Sequence, residues 1–207
     1  MRTAMYFTAA FAALAAATPL HAASIVIGMQ QEPSTLDPTA DATASIDTIF
    51  SHNVFESLVT LDEQANILPD LAKSWTVSDD GLTYTFKLQT GVKFHDGSDF
   101  NADDVIFSFE RAMAENSTNP TKKLFKPIKS VTAPDAETIV FQLSKPTPFF
   151  LFNMARGDTS IVAKETADTN KTSPVGTGPY KMSKWVRGNS ITLVKNPDHR
   201  DAAKVSI

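Results

Sequence analysis

Hydrophobic and polar residues alternate along this chain with two different periods, and the places where the period changes mark its elements. Residues 82–88 (LTYTFKL) follow a period of two. Leu82, Tyr84, Phe86 and Leu88 share one face, while Thr83, Thr85 and Lys87 share the other, which predicts a strand with one buried side. A partner strand is predicted at 74–77, joined through Ser78-Asp79-Asp80-Gly81, where glycine supplies the positive φ of a tight turn. Two further hairpins follow: 128–133 with 138–143 around Pro134-Asp135-Ala136-Glu137, and 180–185 with 190–195 around Arg187-Gly188-Asn189. Near the start, 24–29 (SIVIGM) is a β-branched run that reads as a buried strand, and Pro33 and Pro38 then force a loop.

Helical spacing predicts three helices. Ile46, Ile49, Phe50, Phe55 and Leu58 define an amphipathic helix over 45–58, with Ser45 as its N-cap. Asn101 opens a second helix running to about residue 115, and Asp104 sits at its third position to satisfy free amides. Residues 149–154 form a short apolar helix after the break at 145–148 (KPTP). Strands outnumber helices and come mostly as hairpins, which argues α+β with mixed or antiparallel sheets.

Composition narrows the function. Apolar residues make up 42% and charged residues 20%, enough for a sizeable core. The net charge is -4 and no basic stripe stands out, which argues against nucleic acid as a partner. The absence of cysteine excludes disulfides, thiolate metal sites, a cysteine nucleophile and a lipid-modified N-terminal cysteine. His95-Asp96-Gly97 holds an acid–base pair of residue types, but adjacent residues in a turn rarely face each other. Neither HExxH nor GxSxG occurs. The sequence therefore nominates no catalytic residue, no metal ligands and no cofactor, and a non-enzyme is expected.

Residues 1–22 read as an export signal. Arg2 is followed by an apolar, Ala-rich run at 5–17, then Pro19 and a small residue at Ala22, after which cleavage is expected, with Ala23 as the other option. The run is too short to span a bilayer, which takes roughly 20 residues. Removing 1–22, which hold Arg2 and no acid, moves the net charge from -4 to -5. The expected location is the periplasm.

Several stretches together are similar to one known family. They are FESLVTLDEQANILPDLAKSWTVSDDGLTYTFKL (55–88), GVKFHDGSDFNADDVIFSFERA (91–112), PVGTGPYKM (174–182) and VKNPDHR (194–200). In this order and spacing the chain resembles the extracellular solute-binding proteins of the dipeptide, oligopeptide and nickel group, family 5, which feed ABC importers. In VKNPDHR the family usually has an aromatic after Asn-Pro-Asp. The resemblance implies the first lobe of a two-lobed periplasmic-binding-protein fold, an α+β or α/β architecture whose mixed sheet carries an inserted α+β subdomain. Residues 23–41 would supply the first strand and loop of lobe I, 42–173 the inserted subdomain, and 174–207 the return to lobe I. The family's chain is more than twice as long, so lobe II is expected to lie outside this sequence. The implied function is capture of peptides or similar small polar solutes by a monomer, with an inner-membrane ABC permease as partner. A truncated non-binding remnant or interaction module is the alternative.

The resemblance also nominates ligand-binding residues. The loop at 31–37 would border the cleft, since ligands of open α/β sheets bind outside strand ends. There Glu32 would meet a peptide amine, and Ser34 and Thr35 would offer hydroxyls; ordinary turn chemistry accounts for the same residues. Gly178 and Tyr180, within Gly176-Thr177-Gly178-Pro179-Tyr180, return the chain to this lobe, and the glycines permit close backbone approach to a ligand or to a neighbouring strand. Tyr180 would face the cleft or the core. Asn53 would reach the cleft or cap the end of the first helix.

Overall fold

Tertiary pairing joins two of the predicted hairpins edge to edge. The computed structural model describes residues 24–41 and 43–205; the expected export signal at 1–22 lies outside them. Its helices are α1 (Ala44–Phe50), α2 (Ala102–Met113) and α3 (Phe150–Asn153). Its strands are β1 (Val59–Leu61), β2 (Ile67–Pro69), β3 (Ala72–Val77), β4 (Thr83–Leu88), β5 (Ile128–Asp135), β6 (Thr138–Leu143), β7 (Tyr180–Val186) and β8 (Ser190–Lys195). The central sheet has the order β3-β4-β6-β5, while β1-β2 and β7-β8 are separate two-stranded ribbons. All of these pairings are antiparallel; short hairpin connections impose this on every pair but β4-β6, which meet across the segment that holds α2 and β5. Both edge strands of the central sheet are interrupted, β3 between Ala72 and Ser74 and β5 at two places, which discourages pairing with another chain.

The period-two pattern of β4 is realised as burial, with Tyr84, Phe86 and Leu88 inside. They meet the apolar face of α2 through interlocking rings: Phe109 lies 4.7 Å from Phe141, Phe86 5.6 Å from Phe141, and Tyr84 4.5 Å from Phe150. Such tilted contacts add about 0.5–1.5 kcal/mol each beyond the area buried. α2 begins where its sequence says: the Asn101 side chain accepts from Asp103 N at 2.7 Å, and Asp104 accepts from Asn101 N at 3.0 Å, a complete capping box. A second apolar cluster of Leu36, Ile46, Phe50, Val54 and Phe55 seats the β7-β8 ribbon through Met182, Trp185, Ile191 and Leu193.

Three expectations need correction. Residues 24–29 form no strand and are exposed, Val26 at 95%. A β-branched run becomes a strand only when a neighbour accepts its hydrogen bonds, and no described strand pairs with it. Among the described residues, the first strand expected within 23–41 is therefore absent. The helix expected over 45–58 ends at Phe50, because His52 turns left-handed (φ 58) and the amides of Val54 and Phe55 both return to Phe50 O. Ser45 lies inside that helix, and Thr43 occupies the N-cap position. The β1-β2 ribbon was not expected from the pattern; its strands are three residues each, and Ala65 takes a positive φ of 63° where glycine would be anticipated.

Candidate functional site

The segment after Pro174 crosses the end of α1 at backbone contact. Gly178 N donates to Val54 O at 3.0 Å and Tyr180 N to Asn53 O at 2.9 Å. A Cβ on Gly176 would stand 2.0 Å from the Val54 carbonyl oxygen, and one on Gly178 would stand 2.5 Å from that of Asn53. Only a residue without a side chain fits at either position. His95 braces the crossing from the other side. Its Nε2 lies 2.9 Å from Gly178 O, and its Nδ1 accepts from Gly176 N at 3.4 Å. Burial pushes the His95 pKa down, against the bond to the Gly178 carbonyl. A neutral ring carrying its hydrogen on Nε2 satisfies both contacts. Asn196 completes the frame, donating from its side chain to Gly178 O at 3.1 Å and from its backbone to Pro179 O at 2.8 Å.

A buried charge cluster lies behind this crossing. Arg200 grips Glu56 with two bonds, at 2.7 and 2.9 Å, and reaches Asp70 at 2.7 Å. His199 Nε2 lies 3.2 Å from Glu56, and His52 Nδ1 lies 3.5 Å from Asp70. Burial alone would raise the Glu56 pKa; the bonds from His199 and Arg200 outweigh it and hold the value at about 2. Asp70 is pushed up, chiefly by burial and by the neighbouring Glu56 charge, with the nearby His52 ring opposing. The His52 pKa is raised: burial acts downward, but the Asp70 carboxylate and the Ala155 carbonyl prevail. The cluster ties the segment after β8 to residues 56–70 across 144 positions of sequence, as in the Arg200–Glu56 pair.

The six nominated residues fall into separate places. Asn53, Gly178 and Tyr180 come together at the crossing, where the Asn53 amide donates to Thr48 O and Ile49 O and so caps α1. Glu32 lies at the far end of β7, accepting from Trp185 Nε1 at 2.9 Å and from Gly188 N at 3.0 Å. Tyr180 and Trp185 are five positions apart on that strand, roughly 17 Å at strand rise. Ser34 donates to Asp41, and Thr35 donates to Lys171 O at 3.4 Å. The loop carrying them is fastened to α2 by Arg111, which meets the fully buried Asp37 at 3.1 Å and Thr39 at 2.6 Å.

Sequence reasoning missed Glu56, Asp70, His199 and Arg200. Their one signal is the pairing of His-Arg with Asn-Pro-Asp in VKNPDHR, and nothing local points to partners so far away. A cleft of about 700 Å³ opens elsewhere, between α2 and residues 158–171, lined by Arg111, Asn119, Ser160, Lys164 and Lys171 among others. It contains none of the six nominated residues. Among the described residues, no group of three or more His, Asp or Glu is arranged to hold a metal ion.

Comparison with known proteins places this architecture. Residues 66–207 match the family model described as bacterial extracellular solute-binding proteins, family 5, middle. The glutathione-binding protein GsiB of Escherichia coli O6:K15:H31 is 33% identical over 187 residues, covering 88% of this chain and 36% of the relative. The periplasmic binding protein DppA of Helicobacter pylori, solved with the peptide STSA, superposes with a TM-score of 0.72 at 35% identity, covering 81% of this chain and 38% of that one. The murein tripeptide binding protein MppA of Escherichia coli gives a TM-score of 0.78 at 27% identity, covering 86% and 39%. The chain thus spans little more than a third of the length of these relatives, all of which are named as binding proteins.

Proposed function

This chain belongs to the bacterial extracellular solute-binding proteins of family 5, and we propose that it supplies one side of a periplasmic capture site that passes a peptide or similar small polar solute to an inner-membrane ABC permease. The observation that carries this reading is the match in sequence and fold to proteins whose named ligands are glutathione, a peptide and a murein tripeptide. In this reading residues 23–41 and 174–207 belong to the lobe core, 42–173 form an inserted subdomain, the export signal is cleaved after Ala22, and the protein acts as a monomer. Glu32, Ser34, Thr35, Asn53, Gly178 and Tyr180 border the ligand side.

The physics of capture follows from the two-lobed design. A solute that touches both lobes lowers the energy of the closed state and shifts an open–closed population. One side alone keeps part of the contacts and leaves the solute wet, so its affinity is low. No covalent step is involved. The test is incubation of the purified chain with a defined pool of di- to pentapeptides. Ligand-dependent thermal stabilisation with every peptide recovered intact supports the reading, because a solute that binds only the folded state raises its stability. Hydrolysis of the pool would replace it with an enzyme, and no stabilisation by any peptide would favour a non-binding interaction module.

A further inference from the structure

Between Glu115 and Asp135 the chain carries four lysines, Lys122, Lys123, Lys126 and Lys129, and no acid, although the whole chain has a net charge of -4. The short 3-10 turn Lys122–Phe125 sets the first three around a shallow hollow of about 830 Å³ whose floor includes Met113, Leu124 and Phe125. No acidic residue lines it. Arg156 on its wall is already paired with Asp158 at 3.1 Å, and the Lys122 ammonium donates to the backbone oxygen of Glu115 at 2.6 Å. Among the described residues none of these three lysines has an ion-pair partner, so Lys123 and Lys126, both exposed, and the half-buried Lys122 gather positive charge in one patch of an acidic molecule.

An apolar element stands beside them. α3 and the residue that follows it bury Phe150 and Met154 and turn another face outward. On that face Phe149, Phe152 and Asn153 follow helical neighbour spacing. Asn153 lines the hollow, and Phe149 (72% exposed) and Phe152 (40%), four and one positions before it in the chain, are exposed without lining it. Neither ring is needed for the core, and large exposed aromatics beside basic residues mark an interaction surface.

We propose that this face docks on an anionic phospholipid surface, with Lys122, Lys123 and Lys126 over the headgroup charges and Phe149 and Phe152 entering the interfacial layer. A membrane fits better than an acidic protein segment because the exposed rings of Phe149 and Phe152 lie outside the lining of the hollow, as suits groups that enter a planar layer beside the charges. A locally positive patch on a net-negative chain also orients the molecule as it approaches. Each lysine contributes about fivefold to partitioning, and two rings with three charges make the association transient. The inference stands apart from the identity of the captured solute.

The experiment is co-sedimentation of the purified chain with phosphatidylethanolamine–phosphatidylglycerol vesicles and with phosphatidylcholine vesicles, at low and at physiological salt. Binding to the anionic vesicles is expected, weakening with salt and absent on phosphatidylcholine. The double variant Lys123→Gln/Lys126→Gln should bind about 25-fold less, at fivefold per lysine, and Phe149→Ser/Phe152→Ser should also release the chain. All four residues are exposed, and an unchanged urea midpoint confirms that each variant folds. Ile25→Ser/Ile27→Ser, in the other exposed apolar run, should bind as the parent does. The proposal is overturned by equal binding to both vesicle types, by loss of binding in the Ile25/Ile27 variant alone, or by undiminished binding of the lysine variant. Binding to polyglutamate with none to vesicles would assign the patch to a protein partner and overturn it too.

Discussion

Replacing Arg200 by methionine removes the cation that holds two buried carboxylates, Glu56 at 4% and Asp70 at 7% side-chain exposure. The cheapest relief is for one carboxylate to take up a proton. From the ordinary Glu value of 4.5, protonation at pH 7 costs about 3.4 kcal/mol, and at pH 5 about 0.7 kcal/mol, at 1.36 kcal/mol per pH unit. The pH 7 figure falls within the roughly 3–5 kcal/mol seen when one partner of a buried pair is removed. The sign follows from linkage. In the parent, Glu56 is held at about 2, so its contribution is fully present above 4.5 and is lost only as pH falls toward 2. In the variant Glu56 is raised, so stability is lost as pH climbs from 4.5 toward 7. His52 acts in the same direction, since a proton gained at lower pH supplies a replacement cation beside Asp70. The expected loss is about 3 kcal/mol at pH 7, or about 6–12 °C in Tm for a domain of this size, and it should exceed the loss at pH 5 by about 2–3 kcal/mol. Urea unfolding followed by the fluorescence of Trp75 and Trp185 measures both. Equal penalties at the two pH values would refute the argument, as would a Glu56→Gln/Arg200→Met double variant whose loss is the plain sum of the single losses.

Further predictions follow from the crossing and from α2. Gly176→Ala and Gly178→Ala should each destabilise by about 2–3 kcal/mol or more, because the new methyl meets backbone that cannot yield; Gly28→Ala, with nothing within 4 Å, should be near neutral in the same urea titration. Burial pushes Asp104 up to about 6, with the Asn101 amide opposing. Stability should therefore fall as pH rises from 3.8 through 6, and Asp104→Asn should flatten that part of the curve by about 1–2 kcal/mol after allowance for solvent screening. Asn101→Ala should cost about 1 kcal/mol by removing the cap of α2, read as a lower urea midpoint with unchanged slope.

What the sequence made legible was local. The alternation at 82–88, the Asn101–Asp104 capping box and the Arg187-Gly188-Asn189 turn each depend on residues within a few positions, and each appears as read. The order β3-β4-β6-β5 was not legible, because pairing β4 with β6 depends on registers such as Tyr84 with Phe141, far apart in the chain. The run at 24–29 has strand composition, but among the described residues no strand pairs with it, so composition misled. The overlong first helix came from counting Phe55 and Leu58 in its stripe; both are core residues, but they reach the core from the turn after His52. Of the nominated residues, Asn53 and Gly178 carry two readings from the sequence, one at a ligand and one within the fold. The capping bonds and the close backbone contacts are the structural halves of those readings. The Glu56–Arg200 cluster escaped because a charged residue in sequence looks the same whether it is solvated or buried against a partner 144 positions away.

The most direct test of the central claim is a native mass spectrum of the protein recovered from the periplasm of its own cell. The account predicts a species whose N-terminus begins at Ala23, carrying a dissociable, unmodified peptide or other small polar solute. A protein found in the membrane fraction with residues 1–22 retained, and with no solute released from it, would contradict the account.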